Sequence, residues 1–134
     1  MKWLDTNIVL RFLTGDDPVK AAACLTLFQK VQRGEEILFT SDTIIAEVTY
    51  VLASQYQLGH PEIAARLQPL LALPGLKLPY KRTVQRALER YAESPRLDFE
   101  DALSVEHMGR LGLDVILSYD CDFDRVPDIV RQEP

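Results

Sequence analysis

Residues 1–7 constrain the fold more than any other stretch of this 134-residue chain. A short apolar run ends at Asp5, and Thr6 and Asn7, which favour helix starts, precede a second apolar run. This order predicts a strand, then an acid, then a helix. If the strand belongs to a parallel sheet, Asp5 lies at the carboxyl edge, where open α/β sheets bind ligands. A helix cap is the alternative role for Asp5.

The rest of the chain alternates short apolar runs with helical patterns bounded by capping residues and glycines. We predict one α/β domain over residues 1–134, with a central, mostly parallel sheet and helices on both faces. The strand at 37–40 is expected to be buried on both faces. The helices are predicted to start at Thr6, Asp17-Pro18, Ser41-Asp42, His60-Pro61, Thr83 and Asp98, and the other strands to lie at 76–78, 115–118 and 128–130.

The net charge of −5 and the pI near 5.0 argue against a broadly basic, non-specific nucleic-acid binder. A nucleic-acid substrate would therefore need a local basic surface or a cation. Cys24 and Cys121 form neither a zinc pattern nor a disulfide framework, which predicts free thiols and a cytoplasmic location. We expect no secretory signal, because Asp5 interrupts the only candidate apolar stretch, and no membrane association, because no apolar run approaches the length of a membrane span.

Four acids are expected to meet at one edge of the sheet. Asp5 and Asp120 follow predicted strands, while Glu47 and Asp101 lie in the early turns of predicted helices. Helices of βαβ units run antiparallel to the strands, so helix starts and strand ends share an edge. Glu47 borders an apolar helix face and is expected to be half buried.

The segment around Asp98 and Asp101 carries two interpretations. Asp101 lies at the start of the inward helix face that also carries Val105 and Met108. This position favours a role for its carboxylate in a functional site. Asp98 is equally compatible with a capping role at the start of the same helix.

Alternating acids follow the strand at 115–118. An EF-hand loop is excluded, because Arg125 occupies the position of its glycine and Arg131 that of its final glutamate. We expect Asp120, with Asp122 as an accessory acid, to face the pocket, and Asp124 to be solvated.

Several carboxylates cannot all stay ionised at close range without a compensating charge, since like charges raise one another's pKa. A divalent cation removes this conflict. Oxygen ligands without histidine select Mg²⁺ or Mn²⁺ over zinc. Such an ion can activate water for attack at phosphorus, and it can hold a polyanion on an acidic protein.

These residues resemble the PIN-domain family, and more closely the VapC-like toxins of type II toxin–antitoxin pairs. The resemblance covers essentially the whole chain and depends on four motifs in a fixed order. The motifs are Leu4-Asp5-Thr6-Asn7, Ser41-Asp42 through Ala46-Glu47, Leu97-Asp98-Phe99-Glu100-Asp101-Ala102-Leu103 and Ser118-Tyr119-Asp120-Cys121-Asp122-Phe123.

The resemblance implies a Mg²⁺-dependent endoribonuclease that cleaves RNA and is neutralised by a cognate antitoxin protein. It also implies a homodimer, for which the leucine-rich helices around 44–71 would suit the interface. The catalytic and metal-binding quartet would be Asp5, Glu47, Asp101 and Asp120, with Asp98 and Asp122 as accessory acids and Thr6, Asn7 and Ser118 as supporting residues.

A possible RNA-contacting surface consists of Arg82, Arg86 and Arg90, which are spaced by four along one helix face. A solvated helix face is the alternative interpretation. His60 is expected in a turn and His107 at the surface, and neither has a partner at ligand spacing.

Two other functions fit parts of the pattern. Phosphoaspartate enzymes also place an acid after the first strand, but Asn7 stands where they usually carry a second acid. A metal-binding module that binds RNA or a protein without catalysis is the other alternative.

Overall fold

A computed structural model describes all residues from 1 to 134. Strands are separated by pairs of helices along most of the chain. The elements are β1 (Lys2–Trp3), α1 (Thr6–Thr14), α2 (Pro18–Gln32), β2 (Leu38–Phe39), α3 (Asp42–Ser54), α4 (His60–Leu71), β3 (Leu76–Lys77), α5 (Lys81–Glu93), α6 (Phe99–Leu111), β4 (Val115–Leu117), a 3₁₀ helix (Cys121–Arg125) and β5 (Val130–Gln132). None of the helices is long and apolar enough for a membrane crossing.

All strand pairs are parallel, which confirms the predicted α/β class. β1, β2 and β3 are neighbours in that order, with Lys2 beside Leu38 and Leu38 beside Leu76. β4 pairs with β5 in a separate two-stranded unit, with Val115 opposite Val130. Because β4 is not hydrogen-bonded to β1, the carboxyl edge is divided between the two units.

The helix boundaries follow the local signals in the sequence. Asp17 accepts a bond from the backbone N–H of Lys20 at 3.1 Å, and Ser41 accepts one from Ile44 at 3.4 Å, so both act as predicted caps. Gly15 ends α1 in the left-handed conformation with φ 65°, which glycine adopts without strain. These short-range signals predicted the starts of α2 and α3 and the end of α1 correctly.

One continuous core lies between the helices and the inner face of the sheet. Its largest fully buried side chains include Phe99 on α6 and Leu88 on α5. The leucines of α3 and α4 also belong to this core, since Leu52, Leu67 and Leu71 have no exposed surface. They therefore give no support to the predicted subunit interface, and the homodimer stays a prediction.

The outer face of the three-stranded sheet is open at β1 and β2. Trp3 is 61% exposed and Phe39 is 40% exposed, whereas Leu38, which points to the other face, is buried. The expectation that β2 is buried on both faces is therefore wrong. Consecutive strand residues point to opposite faces, and the core covers only the face that carries Leu38.

Candidate active site

Asp5 lies directly after β1, at the N-cap position of α1. The end of the strand is fixed by the buried Thr40, whose hydroxyl donates a 3.1 Å hydrogen bond to the Leu4 carbonyl. The Asp5 carboxylate makes no capping bond, unlike that of Asp17 at the same position of α2. The capping role considered for Asp5 is therefore not realised, and its carboxylate is free beside the positive end of the helix.

Thr6 connects this position to α3. Its buried hydroxyl donates a 2.6 Å hydrogen bond to Oε2 of Glu47, which brings the second turn of α3 beside the start of α1. Glu47 is exposed, so the expectation of a half-buried acid is wrong. Only the carboxylate oxygen facing α1 is engaged, and the rest of the side chain projects into solvent. We call Asp5, Thr6 and Glu47 the Asp5 group.

A second set of acids surrounds the start of α6. Asp101 is partly buried, and burial raises the pKa of its carboxyl group above its usual range. Asp98, Asp120, Glu100 and Asp122 raise that pKa further, in this order, because their negative charges lie nearby. We call Asp98, Asp101, Asp120 and Asp122 the Asp101 group. Val105 and Met108, below Asp101 on the same helix, are buried as predicted.

Asp98 occupies the N-cap position of α6, but its side chain makes no capping hydrogen bond. The capping alternative for Asp98 is therefore wrong. Like Asp5, it is a carboxylate at a helix start that makes no capping bond.

The loop after β4 is held by its own polar groups. Ser118 Oγ accepts a 3.0 Å bond from the N–H of Asp120, and Asp120 Oδ1 accepts a 2.9 Å bond from the N–H of Asp122. Arg131 on β5 donates to the Ser118 carbonyl and to Asp124. Asp124 is therefore ion-paired and not simply solvated. These contacts fix the direction in which Asp120 leaves the strand.

The two groups of acids do not merge in this structure. No three Asp, Glu, His or Cys side chains are close enough together to hold a metal ion. The expected convergence of four carboxylates within a few ångströms is therefore not present. The loop after β1 and the loop after β4 follow strands of different sheets, because β4 pairs with β5 and not with β1.

The predicted basic stripe on α5 is shorter than expected. Arg82 and Arg86 are exposed and form no ion pair, so both are free to contact an anion. Arg90 instead forms a 2.9 Å ion pair with Glu106 on α6, and both side chains are largely buried. Arg90 therefore holds two helices together.

Both histidines have structural partners that the sequence did not reveal. The His60 ring stacks on Tyr91 with centroids 3.8 Å apart, and its Nδ1 lies 3.0 Å from the Tyr91 carbonyl oxygen. Burial, followed by the charges of Asp98 and Glu100, raises the pKa of Tyr91 to about 12. His107 is partly buried against Tyr80 and lies 3.9 Å from Asp42. Neither histidine belongs to a group of potential metal ligands.

An asparagine at position 101 tests whether the charge of Asp101 destabilises the fold, through its burial and through the neighbouring acids. The raised pKa means that the folded state binds the proton more tightly than the unfolded state, so stability falls as pH rises from the ordinary value through the folded one. We expect Asp101→Asn to raise the midpoint of thermal unfolding at pH 7 in EDTA by about 2 °C, a small shift because solvent screens the group.

The advantage of Asp101→Asn should disappear at pH values below the ordinary pKa of aspartate, where both proteins are neutral at this position. Asp114→Asn, at an exposed acid without an ion pair, is the matched control and should leave the unfolding midpoint unchanged. Equal midpoints for the Asp101 variant and the wild type at pH 7 would contradict the electrostatic account.

The fold and the site define an α/β domain with parallel strands and free carboxylates at the starts of its helices. The sequence profile described as PIN domain matches residues 2–129. The chain therefore belongs to the PIN-domain family.

Two known proteins are similar over nearly the full chain. "VapC ribonuclease" from Aquifex aeolicus (strain VF5) is 24% identical over 126 residues, which span 94% of this chain and 92% of that protein. The crystal structure of Mycobacterium tuberculosis VapC20, described as a sarcin-ricin loop cleaving toxin, is 16% identical, with a TM-score of 0.44. The match covers 96% of this chain and 97% of that one.

Proposed function

We propose that this chain is a metal-dependent endoribonuclease that acts as the toxin of a type II toxin–antitoxin pair. The observation that carries the proposal is the PIN-domain match over residues 2–129, within which Asp5 and Asp98 hold free carboxylates at helix N-caps. The similarity to a protein named VapC ribonuclease supports the same activity. We assign residues 1–134 to a single nuclease domain.

The donor set suits a hard divalent cation. Every candidate ligand is a carboxylate, with Cys121 as the one free thiol in the loop of Asp120 and Asp122, and oxygen ligands favour Mg²⁺ or Mn²⁺. Burial and then the neighbouring acids raise the pKa of Asp101, and a cation would offset both effects. The donors are present in two groups, so an ion bound by both would require those groups to approach each other.

We propose Asp5 and Asp101 as the principal ligands of Mg²⁺ or Mn²⁺, with Asp120 as a second-site or water-bridged ligand. A bound ion of this kind supplies a Lewis acid and an activated water for phosphodiester hydrolysis. The other roles belong to the chain itself. Thr6 holds the Glu47 carboxylate by its 2.6 Å bond, so that the free oxygen can bind or orient a water molecule.

The supporting residues act by holding the acids in place. Ser118 fixes the backbone that carries Asp120, and the Asp120 carboxylate in turn accepts the N–H of Asp122. Asn7, in the first turn of α1, is exposed beside Asp5. We propose Asn7 and the two accessory acids, Asp98 and Asp122, as contacts for metal-bound water.

The remaining parts of the proposal concern the cellular setting. We propose an RNA substrate, a cognate antitoxin protein that neutralises the nuclease, a homodimer and a cytoplasmic location. The support is the similarity to the VapC protein and, for the location, two free cysteines.

A binding module without catalysis is the second candidate. One specific observation favours it, namely that no three carboxylates are gathered into a metal site. The test is cleavage of a panel of structured RNAs by purified, antitoxin-free protein in Mg²⁺ and in EDTA. Specific fragments that form only with Mg²⁺ would support the nuclease. Binding of RNA without fragments in either condition would support the module instead.

Charge reversal at Arg82 and Arg86 tests whether α5 contacts RNA phosphates. Both side chains are exposed and unpaired, so Arg82→Glu/Arg86→Glu should remove about two phosphate contacts. We expect binding about tenfold weaker at 0.1 M salt, and a log–log salt slope smaller by about 1.4 to 1.8. Fluorescence anisotropy over a salt series measures both quantities.

Lys30→Glu/Arg33→Glu, at the last turn and the C-cap of α2, changes the net charge of the chain by the same amount and is the control for charge, although it also removes the ion pair of Arg33 with Glu35. It should leave the salt slope unchanged. Identical slopes for the α5 variant and the wild type would reject the RNA-contacting surface.

A further inference from the structure

Tyr80 is an exposed aromatic residue at the turn between β3 and α5. It is 57% exposed, and one face of its ring is covered by the guanidinium of Arg110, 4.0 Å from the ring centroid. His107 contacts the ring edge with centroids 5.8 Å apart at an angle of 88°. The ring is therefore held in place by two residues of α6 while much of its surface remains accessible.

The surroundings of Tyr80 are basic, although the whole chain is acidic. Arg82 and Arg86 follow on α5, and Lys77 precedes on β3, all exposed. Arg110 adds a further positive charge on the ring itself. The acid nearest to these residues is Asp42, whose carboxylate lies 3.9 Å from the ring of His107. This combination of an aromatic ring with free cations is the surface chemistry that binds single-stranded nucleic acid.

Tyr80 lies on the same edge of the sheet as Asp5. β1, β2 and β3 are parallel neighbours, and Asp5 follows β1 as Tyr80 follows β3. Strand spacing places β3 about 10 Å from β1. The contact of His107 with Asp42 also ties the ring to the start of α3, and Glu47 lies five residues further along that helix, a rise of about 7.5 Å. An RNA strand crossing this edge can contact both places.

The backbone conformation of Tyr80 is energetically unfavourable for a tyrosine. Its φ is 52°, in the left-handed region that tyrosine rarely adopts and that asparagine and glycine tolerate. The side chain makes no capping bond to α5 that would explain the choice of tyrosine. Tyr80→Asn should therefore remove the ring without opposing the local fold.

We propose that Tyr80 is a stacking platform for a base of the RNA substrate, with Arg82 and Arg86 contacting the adjoining phosphates. This inference depends on the proposed ribonuclease function and adds a substrate-binding residue to it. Base stacking on an aromatic ring is tolerant of sequence, since every base presents a π face. The platform therefore determines where an unpaired nucleotide lies relative to the acids, and not which base is cleaved.

The test compares Tyr80→Asn with Tyr80→Phe in binding to single-stranded RNA oligonucleotides, measured by fluorescence anisotropy in EDTA. We expect Tyr80→Asn to weaken binding about tenfold and Tyr80→Phe to bind within about twofold of the wild type, because the phenylalanine ring still stacks. The salt slope should stay unchanged in Tyr80→Asn, since no charge is removed. Thermal unfolding would verify that both variants are folded.

A second measurement locates the stacked base. In oligonucleotides carrying 2-aminopurine at successive positions, one position should be quenched by the wild type and by Tyr80→Phe but not by Tyr80→Asn. Equal binding by Tyr80→Asn and the wild type, or a loss shared by Tyr80→Phe, would overturn the inference while leaving the nuclease intact. A wild type that neither binds nor cleaves RNA would instead overturn the proposed function itself.

Discussion

Asparagine in place of Asp5 is expected to abolish RNA cleavage, with a rate at least about a thousandfold below that of the wild type. The substitution keeps the shape of the side chain and removes its charge, which is the property that a metal ligand needs. The Asp5 carboxylate makes no capping bond, so the fold does not depend on it. Single-turnover cleavage of an end-labelled RNA measures the loss, and thermal unfolding measures the stability.

Asp17 provides a matched control, because it occupies the same N-cap position on the next helix and does accept a capping bond from Lys20. Asp17→Ala should lower the free energy of unfolding by about 1 kcal/mol and keep cleavage. Asp5→Ala should lose cleavage and keep most of its stability. Cleavage at the wild-type rate in Asp5→Asn would remove this residue from the site.

Alanine in place of Gly75 is expected to destabilise the fold by about 3 kcal/mol. A Cβ at this position would lie 2.8 Å from the carbonyl oxygens of both Glu36 and Val31. Both are backbone atoms, one in the last turn of α2 and the other in the connection to β2, so relief requires the backbone to move. The Gly75 carbonyl also accepts a 2.9 Å bond from Leu38, which couples the turn to the sheet. Urea unfolding measures the change.

The control for Gly75→Ala is Gly109→Ala. Gly109 lies in the last turn of α6, where an added Cβ meets nothing within 4 Å. Alanine there should gain about 0.5–1 kcal/mol from its higher helix propensity. If both alanine variants changed stability equally, the close approach at Gly75 would not be a constraint on the fold.

Local signals accounted for most of the elements that can be predicted from the sequence. Asp17 with Pro18 marked the start of α2, Ser41 marked the start of α3 and Gly112 marked the end of α6, because each acts within a few residues of itself. α5 begins at Lys81, two residues before the predicted Thr83, since the left-handed conformation of Tyr80 starts the helix without a capping side chain.

Features that depend on distant pairs could not be predicted in this way. The alternating pattern predicts parallel strands, but it does not say that β4 pairs with β5 and leaves β1 without it. That arrangement places Asp5 and Asp120 after strands of different sheets. The cation–π pair of Tyr80 and Arg110 joins the turn before α5 to α6 and has no signature in either segment. A buried leucine on α4 likewise has the same sequence pattern as one at a subunit interface.

The central claim is that the Asp5 group and the Asp101 group together bind a divalent metal ion. Binding of Mn²⁺ to the purified protein, followed by electron paramagnetic resonance, tests it without any assumption about the RNA. The account predicts saturable binding that is lost in Asp5→Asn and in Asp101→Asn and kept in Asp114→Asn. Wild-type protein that binds no Mn²⁺, or Mn²⁺ binding that both variants retain in full, would contradict it.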